Sequence, residues 1–201
     1  DEFSQMSEIH HECGIAAVYH LPNRPQSSLC AEPGIENASR LLPRMMLDIQ
    51  NRGQLAAGIT TYNPARKQLI DTYKEIGSVT EVFRLAHQRK CESLMREYAG
   101  QAGIGHVRYA TCGADDRSFA QPFERHHLEK RKWFSFGFNG QLANFQQLRD
   151  DLLSQGDHHL ARESDTEIMM HEISRELSGD QRPSLVELTQ KIAGRFDGAF
   201  S

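Results

Sequence analysis

Along the 201 residues the apolar positions change period several times, and each change marks an element. Residues 14–19 form a short, nearly unbroken apolar run that predicts a buried strand, and 57–62, with β-branched Ile59, Thr60 and Thr61, predicts a second. Between them Leu42, Met45, Met46 and Ile49 recur at spacings of three and four, as one helical face requires. That helix ends near Asn51-Arg52-Gly53, and Pro43 limits how far upstream it runs unbroken. The Pro and Gly punctuation from 22 to 34 reads as one long loop. Further strands are predicted at 68–73, 103–108 and 134–139, and helices at 79–87, 145–153, 165–177 and 185–196. Some strands follow one another across turns and others across helices, which predicts a largely antiparallel α+β layout rather than a repeated βαβ winding. Gly198-Ala199-Phe200-Ser201 reads as the opening of another strand, so the domain is expected to be truncated at its C-terminal end.

Composition narrows the class. With 38% hydrophobic and 25% charged residues, the chain suits one domain with a substantial core. The 23 Lys and Arg against 27 Asp and Glu, without a basic block, argue against nucleic acid as a partner. No apolar run approaches the roughly 20 residues of a membrane span, and the start is polar and acidic, so a cytoplasmic protein with no membrane partner is expected. Cys13, Cys30, Cys91 and Cys112 are scattered with no CxxC pair, which predicts reduced thiols and neither a zinc site nor a disulfide framework. The doublets His10-His11, His126-His127 and His158-His159 read as solvated loop histidines, because adjacent side chains point apart on a strand or a helix.

Candidate chemistry begins at Cys13-Gly14-Ile15, a thiol at the mouth of an apolar strand. Alone, such a cysteine is more often a small buried hydrophobe than a nucleophile. Three further segments put polar residues directly after apolar elements: Asn51-Arg52-Gly53-Gln54, Arg108-Tyr109-Ala110-Thr111 and Asn139-Gly140-Gln141. Each taken singly is also ordinary turn chemistry. A fourth, Ser164-Asp165-Thr166-Glu167, reads as a capping box in which Ser164 caps a helix and Glu167 reaches back, leaving Asp165 to face a site.

Together these segments resemble the class II glutamine amidotransferases, the N-terminal-nucleophile type, and within them the amidophosphoribosyltransferase branch. The resemblance runs from Glu12 to the last residue through Cys13-Gly14-Ile15, Asn51-Arg52-Gly53-Gln54, Gly103-Ile104-Gly105-His106-Val107-Arg108-Tyr109, Ala120-Gln121-Pro122-Phe123, Asn139-Gly140 and Ser164-Asp165-Thr166-Glu167. Gln54 and the Ala120 to Phe123 stretch favour that branch over the glucosamine-phosphate synthases. The fold it implies is an αββα sandwich of antiparallel sheets, with residues 1–12 a leader and 13–201 an incomplete type 2 glutamine amidotransferase domain.

The resemblance implies that Cys13 attacks the glutamine carboxamide through a thioester, with the Asn139 side chain and Gly140 N–H as oxyanion donors. It assigns Arg108 to the glutamine α-carboxylate and Asp165 to the α-ammonium, with Arg52 and Thr111 holding the nucleophile loop and substrate. An N-terminal cysteine can use its own amine as base, so no histidine is expected in catalysis, but the amine exists only once the Glu12–Cys13 bond is cut. The ammonia is expected to pass to phosphoribosyl pyrophosphate, for purine biosynthesis, on a synthase domain beyond Ser201. No phosphate-cradling glycine loop occurs here, and the acidic pair Asp115-Asp116 is weak support for pyrophosphate binding. No cofactor is expected within this chain; magnesium and an Fe-S cluster belong, if anywhere, to the full-length enzyme, which is expected to be a homo-oligomer. Two departures are Asn51, where relatives often have histidine, and Cys112, where alanine is usual. The alternatives are the glutaminase domain of an amino-sugar or asparagine synthetase and a catalytically silent, unprocessed regulatory module.

Overall fold

A computed structural model describes residues 13–22, 37–109, 116–154, 160 and 164–201. Its first half is a four-stranded sheet, in which every strand pair is antiparallel: β1 (Gly14–Tyr19), β2 (Ala56–Tyr62), β3 (Ile70–Ile76) and β4 (Ala102–Arg108), in the order β1-β4-β2-β3. The central β2 is buried at every position but its last, as its near-continuous run of small and β-branched residues requires. Three helices accompany this sheet: α1 (Ala38–Ile49), α2 (Val79–Val82) and α3 (Gln88–Glu97). Leu42 and Met46 of α1, Val79, Val82 and Phe83, and Met95 of α3 pack with Ala57, Ile59 and Val107 of the strands into one core.

The helical face of α1 turns slightly from the expected one. Its buried residues are Ala38, Ser39, Leu42, Pro43 and Met46, while Met45 is exposed on the flank opposite Pro43. Pro43 lies inside the helix, which extends five residues upstream of it. Of the helix predicted over 79–87 only a single turn forms, α2 with its complete Ser78–Glu81 capping box, and α3 begins at Gln88, beyond the predicted span. The strand expected at 68–73 is displaced to Ile70–Ile76, where it pairs along the whole length of β2.

The second half carries two short antiparallel pairs, β5 (Phe123–Arg125) with β6 (Phe134–Phe136), and β7 (Gly140–Leu142) with β8 (Gly198–Phe200). The strand predicted through 134–139 thus ends at Phe136, and Gly137 to Asn139 lie between β6 and β7. Helices α4 (Phe145–Ser154), α5 (Asp165–Leu177) and α6 (Leu185–Ala193) cover this half. Phe138, Leu142, Leu148, Leu152, Ile168 and Phe196 form its core. Glu172 of α5, fully buried, pairs with Arg175 and, at 2.9 Å, with Arg195, which ties the helices to the segment leading into β8. Among the described residues no helix is long and apolar enough to cross a membrane. Of the histidine doublets only His126-His127 lies among the described residues; the two rings part, His126 against Trp133 and His127 towards Phe134.

Candidate active site

Cys13 immediately precedes β1, whose first residue Gly14 pairs with Val107 of β4. That register brings the start of β1 beside the end of β4, where Arg108 and Tyr109 lie. The Cys13 Sγ is 3.5 Å from the Tyr109 carbonyl oxygen, to which the thiol donates. The Cys13 carbonyl is clamped by two side chains: it accepts from Arg52 Nε at 3.1 Å and from Asn139 Nδ2 at 2.8 Å. Residues separated by more than a hundred positions therefore meet on one peptide group. A carboxamide nitrogen has two hydrogens, so the bond to Cys13 leaves Asn139 a second donor at the nucleophile.

Arg52 arrives there because Gly53 lets the loop after α1 lie against the end of β4. A Cβ at position 53 would stand 2.3 Å from the Arg108 carbonyl carbon and 2.5 Å from the Tyr109 nitrogen, closer than any side chain permits. The Arg108 guanidinium, itself buried, stands 5.5 Å from the Phe119 ring centre. Burial pushes the Cys13 thiol up from its ordinary range, while the Tyr109 contact and the charges of Arg108 and Arg52 pull it back. With its nitrogen in a peptide bond, Cys13 is a protonated thiol at neutral pH.

Gly140 opens β7 with φ of +143°, a conformation that favours glycine, and a Cβ there would lie 2.2 Å from the Ala199 carbonyl oxygen. The close approach that fixes this glycine is thus to β8. Asn139 and Ser201 exchange both backbone bonds, at 3.0 and 2.8 Å, so by the alternation of an antiparallel ladder the Gly140 N–H is turned away from β8. The Leu142 N–H, two residues on, is turned the same way and donates to Asp165 Oδ2 at 3.0 Å. Asp165 thus lies on the side to which the Gly140 N–H points. It is half-buried, and burial raises its carboxyl above the ordinary range while the Leu142 N–H opposes the rise. Ser164 caps α5 by accepting from Glu167 N–H at 3.3 Å, and this hydroxyl half of the expected capping box is the half observed. Asp165 is not wholly spare, since one oxygen ties α5 to β7.

The structure therefore brings together Cys13, Arg52, Asn139 and the end of β4 with Arg108, and sets Gly140 and Asp165 on the adjoining strand and helix. Thr111 lies outside the described residues. Two buried polar residues, His106 and Gln121, lie in the quoted motifs without a role that the motifs imply. His106, fully buried in β4, donates from Nε2 to the Phe138 carbonyl at 3.1 Å, and its desolvation holds its pKa at about 4, so the ring is neutral. Gln121 makes two bonds to the same residue, Phe138. The signal available was a pair of polar side chains in segments otherwise patterned for the interior. Among the described residues no three His, Cys, Asp or Glu side chains converge as metal ligands.

A family model described as a glutamine amidotransferase domain matches residues 79–181, a span that contains Arg108, Asn139, Gly140 and Asp165. The amidophosphoribosyltransferase of Methanothermobacter thermautotrophicus is 29% identical over 195 residues, 97% of this chain and 36% of the relative. That of Archaeoglobus fulgidus is 32% identical over 186 residues, 92% of this chain and 35% of the relative. A solved structure of an allosteric regulatory enzyme of purine biosynthesis superposes with a TM-score of 0.69 at 24% identity, over 94% of this chain and 34% of that one. The likeness in structure shows the fold, a layered arrangement of helices and antiparallel sheets. The chain spans about a third of the length of the curated relatives it matches.

Proposed function

Since the chain belongs to the glutamine amidotransferase domain family, we propose that it hydrolyses glutamine at Cys13 and that the full-length protein transfers the ammonia to phosphoribosyl pyrophosphate. The observation that carries this reading is the meeting of Arg52, Asn139 and the Tyr109 carbonyl on the single residue Cys13. A buried structural cysteine needs no such clamp.

The thiol is held protonated by burial, so it needs a base close by. We propose residues 1–12 as a leader whose removal supplies one: the Cys13 α-amine, with an ordinary pKa of about 7.7 to 8.0, is in part unprotonated near neutral pH and can accept the thiol proton. The amine takes the thiol proton as Sγ attacks the carboxamide carbon, and the carbonyl oxygen becomes an oxyanion facing the second Asn139 hydrogen and the Gly140 N–H. The tetrahedral species collapses as the amine's proton passes to the leaving nitrogen, releasing ammonia and leaving a thioester. Water, deprotonated by the same amine, attacks the thioester; glutamate departs and the thiol is restored. Arg108 takes the substrate α-carboxylate in a two-point contact and Asp165 takes the α-ammonium, with Arg52 and Thr111 steadying the loop and the substrate. Acceptor binding, magnesium and any Fe-S cluster are assigned to the part of the relatives' length that this chain does not span, and the full-length protein is read as a cytoplasmic homo-oligomer.

In the full-length protein with Cys13 at its N-terminus, Cys13→Ala is expected to abolish glutamate release and covalent labelling by a glutamine-mimicking electrophile. Glutamate release persisting in that variant would refute the assignment. Intact mass should show the leader lost from active protein, and active protein with a mature N-terminus elsewhere would end the leader proposal.

A further inference from the structure

Between the nucleophile and the β7 strand stands a buried polar relay. The Gln121 side chain grips Phe138 at both backbone atoms: Oε1 accepts the Phe138 N–H at 2.7 Å and Nε2 donates to the Phe138 carbonyl at 2.9 Å. His106 donates to the same carbonyl. That carbonyl shares its peptide plane with the Asn139 N–H, which donates to Ser201. One plane is thus held at its oxygen by two side chains and at its N–H by a strand partner, and the next residue is Asn139, whose carboxamide reaches Cys13.

Gln121 is itself placed with care. Its backbone lies against β2 where Gly58 leaves room; a Cβ on Gly58 would stand 2.3 Å from the Gln121 carbonyl oxygen. Lys74 straddles the same segment, donating to the Ala120 carbonyl at 2.6 Å and the Pro122 carbonyl at 3.2 Å. The four-stranded sheet therefore fixes the Gln121 backbone, and the Gln121 side chain fixes the residue before Asn139.

We propose that Gln121 is a positioning residue for the reaction: it transmits the register of the four-stranded sheet to Asn139 and Gly140, so that their donors stand at the oxyanion that forms over Cys13. The inference rests on the glutaminase reading above and adds to it a residue that touches neither substrate nor thiol. Its loss should weaken stabilisation of the transition state and leave glutamine binding, through Arg108 and Asp165, nearly intact.

The test uses the full-length protein with the Cys13 amine exposed. Gln121→Ala is expected to lower kcat about 100-fold, the scale of one lost oxyanion donor, with KM for glutamine within about threefold. Alkylation of Cys13 by iodoacetamide, followed by peptide mass mapping, should change by less than about twofold, because displacement at a saturated carbon builds no oxyanion. An unchanged kcat, or a parallel fall in kcat, binding and alkylation, overturns the inference. Gln121→Glu guards against simple misfolding: its carboxylate still accepts the Phe138 N–H but donates to the Phe138 carbonyl only when protonated. The ratio of its kcat to that of the unsubstituted protein should therefore rise as pH falls, and a ratio flat with pH overturns the proposal even if Gln121→Ala does not fold. If the unsubstituted protein releases no glutamate, both readings fall; if it is active and Gln121→Ala is equally so, only this one does.

Discussion

Cys13 and Arg108 are mounted at the ends of strands six and seven residues long, paired at every position, whereas Asn139 and Gly140 stand where a three-residue strand begins. On the first side the backbone ladder sets geometry, and side chains from α1, α2 and α3 add a continuous apolar core beneath it. On the second side the ladder of β7 with β8 is only three residues long, and side-chain hydrogen bonds share that work: Gln121 and His106 on Phe138, Asn139 on Cys13, Asp165 on Leu142. A ladder distributes its constraint over many bonds, so one lost contact moves little. A strand held by a few side chains transmits each loss to the residues it presents. Stability and the geometry of the proposed site are therefore separable here, and variants on the two sides should separate them.

The largest effect is expected on the ladder side. Leu42→Ala empties a fully buried site in the first core and should cost about 2 to 5 kcal/mol in urea unfolding. The glutaminase kcat of the folded fraction should nonetheless stay within about twofold, because β1 and β4 keep their pairing. A kcat that falls in step with stability would show that the two are not separable.

His106 joins the two sides, and its burial has a pH signature. Its folded pKa of about 4 lies below the ordinary 6.5, so the unfolded chain binds more protons between those values. The stability this residue contributes is fully present above about pH 6.5 and is lost as pH falls towards 4, a difference on the order of 3 kcal/mol. Unfolding free energies of the unsubstituted protein and His106→Gln, measured at several pH values across that window, should diverge accordingly. A difference constant with pH would show that His106 is not kept neutral by the fold.

Much of this was legible in the residues. β1 coincides with the apolar run 14–19, although it lies at the edge of its sheet and is buried only at Gly14 and Ala16 rather than throughout, and α5 coincides with 165–177, whose helical period is strong and whose start is capped. The pattern predicts no helix where α3 forms, although Cys91, Leu94 and Met95 keep helical spacing; among its ten residues only Met95 is buried, so charged positions dominate. β5 and β7 span three residues each, too few for a period of two to register. The motifs pointed to Cys13, Arg108, Asn139 and Gly140, yet the bonds that join them span 126 positions in one case, and no local pattern encodes such a meeting. The resemblance implies an oxyanion donor at Gly140 and gives no other reason for a glycine there; what the missing side chain demonstrably clears is β8. Gln121 was visible as part of a motif, but its grip on Phe138 needs the fold to be seen.

The smallest effect sharpens the second side, where one carboxylate has two duties. Asp165 ties α5 to β7 through Leu142 and, in the proposed reaction, receives the α-ammonium of glutamine. Asp165→Asn keeps an oxygen for the Leu142 N–H and removes only the charge. Losing a charged hydrogen bond of about 2 kcal/mol should raise KM for glutamine on the order of 10- to 100-fold, with kcat and the thermal midpoint nearly unchanged. Asp165→Ala should add a loss of stability of about 1 kcal/mol, because the tie to β7 goes as well. The raised carboxyl also fixes a direction with pH: binding needs the ionised form, so affinity should begin to fall, as pH is lowered, sooner than an ordinary aspartate would make it. If Asp165→Asn destabilises the protein as much as Asp165→Ala and leaves KM unmoved, Asp165 is a structural tie alone, and the ammonium must be read by another group.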